Sequence, residues 1–581
     1  MSRYLHSVAV VFVGFGLLSL TPMYGASKGT HQEDPGGSTP QISALSGQAT
    51  HLGTAKEVVI TDLPQAAPYH GKPRAMPDQK EPNEGDEDKA TGTPSAGYKF
   101  GPASLAPTTE LPPSGLLRLT FGGGSEETCG GWIPSDHALA TSSTYALQVL
   151  NACIYVYDLN GNLLSGPKDL ATFFGASNDA VGDPRCLYDW RNQRFLIVAE
   201  DFTANNIVVA ASKTSNPSGS WWTYTQSANS GGLTGTADFP MIGQTEWEVG
   251  DSNYGALYIS WDRFATSGFQ DDVVWIWPKQ QLYSGGGFSF NYFYNLNYNG
   301  HTVDHVQPAD VMTKGDQPRA EFLVNTLDFN YNCVSGSPCN GLVVWAIYYG
   351  LPPAGQSPSL TGKYISTANN YIYPVTASQP GNLSGTQCAI NTGNTGISSE
   401  VYWNAGDLYL TATTAALNGQ ASDGWLYWQV HPFLTDASPA TISGANIRNE
   451  VCWGCSGFGG DGTLSEYYPA AQPDEEGNVA VVFNYSSSSV YPSTAFLASR
   501  TTQATGGFND GGGTLAGGNA PAYCQLDPFD RNRWGDYTGT SPFGTGYQLR
   551  PTFWFAGQYS ETSGDWGTTI GQNVFSDIRQ P

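Results

Sequence analysis

The chain has 581 residues, with 50 acidic residues against 25 basic ones and a formal net charge of -25. Only 13% of it is charged, while 13% is aromatic and there are 70 Gly and 37 Pro, a composition foreign to a long helical or coiled-coil protein. So acidic a chain is repelled by phosphate, which excludes a nucleic-acid partner, and its Trp, Tyr and Phe content excludes wholesale disorder.

Residues 1–27 read as a secretory signal. Arg3 supplies the positive start, residues 8–20 the apolar stretch, and Gly25-Ala26-Ser27 the small residues for cleavage. The stretch is shorter than the roughly 20 residues that span a bilayer. No later segment is long and apolar enough to cross one. The expected location is therefore secreted, extracellular or periplasmic, with no integral membrane segment after signal removal. Residues 28–113 follow as a linker rich in Gly, Pro, Ser, Thr and charge, and the run 78–89 has no apolar residue. Such a segment cannot bury enough surface to offset chain entropy, so disorder is expected there.

From residue 114 to 581 the periodicity is that of strands, short apolar and aromatic runs between Gly, Asn, Asp, Ser and Pro clusters. Runs 207–211, 273–277, 342–349 and 479–483 are apolar throughout, which implies sheets covered on both faces. One strand pattern recurs at 149–157, 194–200, 256–261, 320–325, 407–412, 478–485 and 552–559. Recurrence of this kind predicts an all-β fold, a β-propeller of four-stranded blades that hide their faces in one another. Seven recurrences give seven blades, with six or eight left open, and residues 117–121 and 569–575 are the candidates to close the ring. A row of separate β-sandwiches is the competing architecture.

All nine cysteines lie after the linker, as expected of bridges in an exported domain. Cys333 and Cys339 flank a five-residue loop suited to local closure. Cys452-Trp453-Gly454-Cys455 has redox-type spacing without the βαβ context, so a structural bridge or partners elsewhere is the better reading. The odd count leaves one thiol over.

Asp136, Asp183, Asp238, Asp310, Glu400, Glu466 and Asp536 each precede one recurring strand. Facing a central channel, they would form an acidic ring suited to Ca²⁺ or another hard cation. The competing reading is that they cap turns through backbone N–H groups. Two EF-hand-like fragments, 158–162 and 474–478, lack the closing Glu and read as hairpin turns. His301 and His305 have helical spacing in a stretch that is not helical, with no zincin Glu, and no Gly-x-Ser-x-Gly elbow is present. Arg185, Arg319 and Arg533 lie near the starts of three recurring strands and could converge to clamp a carboxylate. Tyr468 or Tyr537 would then be the nucleophile and Glu466 its base. Against this stands a structural role, each Arg paired with an acid of a neighbouring blade. The aromatic stretches 288–298 and Trp221-Trp222 are read as loops able to stack on sugars or anchor a protein.

Asp183-Pro184-Arg185-Cys186-Leu187-Tyr188-Asp189, the turn 213–221, and Arg533-Trp534-Gly535-Asp536-Tyr537 resemble motifs of a family of secreted bacterial β-propeller proteins, distantly similar to sialidases. The resemblance implies export and a propeller fold. Together with the residues it predicts a binding or scaffold module whose partner is an extracellular glycan or protein surface. A sialidase-like glycoside hydrolase is the alternative.

Overall fold

The computed structural model describes residues 41–51, 53–77, 117–177, 180–248, 253–311, 318–327, 333–334, 337–416, 421–455, 464–474, 476–500, 507–508, 511–545 and 548–574. The expected signal at 1–27, and the linker outside 41–77, lie outside these residues. The fold is all-β, and the two α-helices among the described residues, Leu170–Phe174 and Lys279–Ser284, are each under two turns.

The described strands form seven antiparallel meanders of four, in chain order. Sheet 1 is Ala138–Thr141, Tyr145–Leu150, Cys153–Asp158 and Leu163–Asp169. Sheet 2 is Val181–Asp189, Arg194–Asp201, Asn206–Ser212 and Ser220–Ser227. Sheet 3 is Thr236–Gln244, Ala256–Ala265, Gly268–Pro278 and Phe288–Tyr298. Sheet 4 is Gln307–Val311, Glu321–Thr326, Cys339–Tyr348 and Ser359–Tyr371. Sheet 5 is Val401–Asn404, Asp407–Ala415, Asp423–Leu434 and Ile442–Trp453. Sheet 6 is Ser465–Pro473, Val479–Ser487, Val490–Ser499 and Gly511–Ala516. Sheet 7 is Thr540–Thr545, Gln548–Ser560 and Trp566–Val574, and its fourth strand comes from the front of the chain, Leu117–Ser125. Gly571 lies opposite Thr120 in that last pairing. The first strands lie side by side in chain order, and that of sheet 7 lies against that of sheet 1. Six of the seven recurrences in the sequence fall on the second strands, while 149–157 straddles the second and third strands of sheet 1.

The all-apolar runs are explained by burial on both faces. In Arg194–Asp201, Phe195, Ile197 and Ala199 pack toward sheet 1, while Leu196 and Val198 pack toward Trp261 and Trp275 of sheet 3. Side chains alternate across a strand, so period two becomes invisible when both faces are apolar.

The linker expectation needs correction. Ile42–His51 adds to the outer edge of sheet 3, pairing antiparallel with Phe288–Tyr298. Lys56–Val59 adds to the outer edge of sheet 2 against Ser220–Ser227. Arg74–Ala75 pairs parallel with Trp132–Ile133 ahead of sheet 1. The segment buries little surface of its own, so composition suggested disorder; existing sheet edges supply its hydrogen-bond partners instead.

Four disulfides join Cys129 to Cys153, Cys333 to Cys339, Cys388 to Cys524 and Cys452 to Cys455, leaving Cys186 as a buried thiol.

Candidate functional site

The first strands of sheets 2, 3 and 6 begin with the same irregularity. Their registers slip between Gly182 and Arg185, Asp238 and Met241, and Tyr467 and Ala470. In each slip a non-glycine residue of positive φ precedes a proline: Asp183 at 49°, Phe239 at 57° and Tyr468 at 50°. Asp136 at 38° and His305 at 48° occupy matching places ahead of the first strands of sheets 1 and 4. Non-glycine residues rarely adopt this region, and such strain gathers where a fold must aim particular side chains.

Those side chains meet. Arg185, fully buried, donates from Nη1 to the Ser398 carbonyl at 3.1 Å. Its Nη2 lies 3.1 Å from Glu400 Oε1, and its guanidinium stands 4.5 Å from the centre of the Tyr537 ring. The Tyr537 hydroxyl donates to Asp183 Oδ2 at 3.5 Å. Phe239 touches both the Tyr537 ring, at 4.7 Å between centres, and the His305 ring, at 4.2 Å. His305 Nδ1 lies 3.1 Å from Asp304 Oδ2 and 3.4 Å from Asp262 Oδ2. Asp136 Oδ1 accepts from the Asp536 backbone at 2.7 Å, and Asn151 joins Asp136 to the Asp183 backbone. Residues from sheets 2 and 3 thus converge with the connectors that lead into sheets 1, 4, 5 and 7.

Two long connectors complete the cluster. Residues 372–400 bring Asn391, Ser398 and Glu400, residues 517–539 bring Arg533, Asp536 and Tyr537, and Cys388–Cys524 ties the two. The motifs around Asp183 and Tyr537, some 350 positions apart in sequence, are neighbours here.

Burial sets the charge states. It raises the Glu400 carboxyl, against the pull of Arg185. Burial pushes the Tyr537 phenol well up, with Asp183 adding to it, so this hydroxyl stays protonated and acts as a donor. Burial also raises Glu466 to about 8, although Trp425 Nε1 donates to its Oε2 at 2.9 Å. His137 is lowered to about 4 by burial and is neutral at pH 7.

The arginine clamp is not formed. Arg533 is ion-paired with Asp536, and Arg185 faces Glu400. Arg319 is exposed, donating to the Thr435 carbonyl at 2.8 Å with Asp436 at 3.9 Å. The Tyr468 hydroxyl points to the Asn391 carbonyl at 3.4 Å, and Glu466 is held by Trp425. A tyrosine nucleophile with Glu466 as its base is therefore not assembled around a shared substrate position.

The acidic ring for Ca²⁺ is not formed either. Asp136, Asp183 and Asp536 lie in the cluster, but each is engaged by a neighbour in the protein. Asp238 Oδ1 accepts from the Phe239 backbone at 2.9 Å, which is the turn-capping role. Asp310 is level with Gln244, at the far end of sheet 3's first strand, and accepts from Gln244 Nε2 at 2.9 Å. Burial raises it to about 7. Among the described residues no three His, Cys, Asp or Glu side chains gather in a way that could hold a metal ion.

The aromatic stretches are strands and not loops. Phe288–Tyr298 is the fourth strand of sheet 3, and Trp221, in the fourth strand of sheet 2, is fully buried with Nε1 donating to the Pro217 carbonyl at 2.8 Å. The EF-hand-like fragments are turns: Asp158 Oδ1 accepts from the Asn160 and Asn162 backbones, and Asp474 Oδ1 from those of Glu476 and Asn478, all at 2.9 Å. Sequence reasoning weighed His305 only as a zinc ligand, and it did not bring Phe239, Asp262 or Asn391 into the cluster. A signal existed in Asp183-Pro184, Phe239-Pro240 and Tyr468-Pro469, three prolines each near the start of a sheet.

No family model matches the sequence, and no curated protein does. Among solved structures, the chain is similar to a protein of unknown function from Dyadobacter fermentans DSM 18053, with TM-score 0.28 and 9% identity over 67% of this chain and 94% of the other. It is also similar to an alpha-L-arabinanase of Penicillium chrysogenum complexed with arabinobiose, with TM-score 0.26 and 9% identity over 68% and 94%. A fructofuranosidase from Schwanniomyces occidentalis complexed with fructosylnystose gives TM-score 0.21 and 9% identity over 75% and 76%. Likeness this weak carries no argument about what the chain does.

Proposed function

We propose that the chain is an exported binding or scaffold module whose seven sheets are the blades of one closed β-propeller, and whose partner is a glycan or protein surface outside the cell. The ring is supported by the succession of first strands and by the pairing of Trp566–Val574 with Leu117–Ser125, the joint that keeps a propeller from opening. Export is supported by four disulfides, which belong to oxidising compartments. The motifs shared with secreted bacterial propellers agree with both.

The observation that carries the functional reading is the pairing of each arginine with its own acid: Arg185 with Glu400, Arg533 with Asp536, Arg319 with Asp436. A glycosidase clamp needs these charges turned on one substrate carboxylate. Here Arg185 ties sheet 2 to the connector before sheet 5, Arg533 pairs within its own connector and Arg319 lies at the surface, so the fold serves as a rigid frame presenting its outer loops. A fluorogenic sialoside assay checks this directly. The expected result is no turnover, with saturable binding of the chain to members of a glycan array or to a protein surface. Turnover that disappears in Arg533→Ala would sink the binding reading.

A further inference from the structure

One carboxylate on sheet 5 gathers three donors. Asp407, at the start of the second strand, accepts at Oδ1 from His431 Nδ1 at 2.6 Å and from Arg448 Nε at 2.9 Å, and at Oδ2 from Gln429 Nε2 at 2.6 Å. Arg448 reaches it through a fault in the ladder between the third and fourth strands. Ile447 lies opposite Val430 and Asn449 opposite Gln429, so Arg448 is the extra residue of a bulge, turned to the face that carries Gln429 and His431. That face packs on sheet 6 through Tyr409, Trp425 and Tyr427, and farther along it reaches solvent at Phe433.

The groups left over are directed outward. The Asp407 side chain is only 9% exposed, whereas His431 is 24% and Arg448 52% exposed. Arg448 spends Nε on Asp407, and its two Nη atoms have no partner among the described residues. His431 spends Nδ1 in the same way and keeps Nε2. The Phe433 ring stands 4.9 Å from the His431 ring, tilted by 69°. Only two phenylalanines among the described residues are exposed, Phe433 and Phe529, and Arg531 lies over the ring of Phe529. Across the ladder from Phe433 is Gly444, where a Cβ would meet nothing nearer than Phe433 Cδ2 at 4.0 Å, so the ring stays uncovered.

We infer, on the binding-module reading above, that this strip of sheet 5 is a glycan subsite for a neutral sugar ring with two adjacent hydroxyls. Phe433 carries the apolar face of the sugar, and Arg448 and His431 bond its hydroxyls. A hydroxyl both donates and accepts, so one hydroxyl serves the imidazole nitrogen and a guanidinium N–H together. Asp407 holds both groups in place before the ligand arrives, so little side-chain freedom is lost on binding. Charge selects a neutral ligand: Asp407 already balances Arg448, and a chain of net charge -25 repels an acidic sugar. A single open ring among planar polar groups suits one sugar, where a protein partner needs a core of several apolar side chains.

Affinity electrophoresis of the full chain through gels containing glucan, mannan, galactan or xylan tests this, with polygalacturonate as the acidic control. The expected result is retardation by at least one neutral polymer and none by polygalacturonate. Phe433→Ala and Arg448→Met should each weaken that retardation about tenfold, while Lys213→Met on sheet 2 should not change it. Gly444→Leu removes no ligand group and enters open space. It should leave the melting temperature unchanged while its side chain covers the ring and abolishes retardation. Retardation that survives in both Phe433→Ala and Gly444→Leu puts the sugar elsewhere and overturns the subsite, with the binding-module reading left standing. Retardation by polygalacturonate alone, or by no polymer, overturns it as well. Turnover of the fluorogenic sialoside is a separate outcome, and it defeats the binding-module reading itself.

Discussion

Arg185 shows how one side chain reports the centre of the molecule. It leaves the first strand of sheet 2 and meets Glu400 before sheet 5 and Tyr537 before sheet 7. Removing one partner of a fully buried pair leaves the other charge uncompensated, so Arg185→Met should destabilise the protein by about 3–5 kcal/mol in urea denaturation. Arg185→Met combined with Glu400→Gln should recover most of that loss. Asp183 poses a backbone question at the same place. Asn tolerates φ of 49° and Ala does not, so Asp183→Asn should lie within about 1 kcal/mol of the parent while Asp183→Ala loses about 1–2 kcal/mol. The buried acids fix the pH response. Glu466 and Glu126 are raised by burial to about 8, and Glu248 and Asp310 to about 7, so each holds its proton more tightly folded than unfolded. Their contribution is complete below the ordinary carboxyl range and is lost as pH rises through 7 to 8. His137, lowered to about 4, acts oppositely: its contribution is complete above 6.5 and is lost as pH falls toward 4. Four raised acids outweigh one lowered histidine, so calorimetry should find the melting temperature already falling from about pH 5 and continuing to fall toward pH 8.5, a fall that Glu466→Gln makes shallower.

Elements were unequally legible. The second strands announced themselves because burial on both faces demands unbroken apolar runs, as in Phe195 to Ala199. The first strands of sheets 2 and 6 did not, since Asp183-Pro184 and Tyr468-Pro469 interrupt them. The strand Ile42–His51 was invisible for another reason: its residues carry little strand preference, and only an edge waiting in sheet 3 makes them extended. Connectors 372–400 and 517–539 hold no named strand, and nothing local revealed that they meet. Their bridge, Cys388–Cys524, closes a loop with a sequence separation of 136. Replacing both cysteines by serine should cost about 2–4 kcal/mol. Hydrogen exchange should quicken in those two connectors while the sheet cores stay protected; uniform quickening would show that the bridge holds the whole fold.

At the scale of the whole molecule, everything rests on the last sheet, whose strands come from both ends of the described body. Trp566–Val574 lies between Gln548–Ser560 and Leu117–Ser125, so a chain ending at Asp565 loses the joint on both sides. That truncation should abolish the single cooperative unfolding transition and expose dye-binding apolar surface, whereas a cut after Val574 should leave melting unchanged. A truncated protein that still melts cooperatively at the parent temperature would show that the ring does not depend on this closure.

The residues alone determined that the body is all-β, that its sheets bury both faces and that the fragments at 158–162 and 474–478 turn, and they offered Cys333 with Cys339 and Cys452 with Cys455 as close candidates that the structure pairs. Those features are local, set by the alternation of side chains along a strand and by partners a few positions away. Only the tertiary structure decided that Arg319 stands apart from Arg185, that Asp310 lies at the opposite end of its strand from Asp183's place in sheet 2, and that Ile42–His51 and Lys56–Val59 pair with sheet edges. Each of these depends on which distant segments come to share one space, and pairwise proximity across hundreds of residues leaves no mark in a single chain's periodicity.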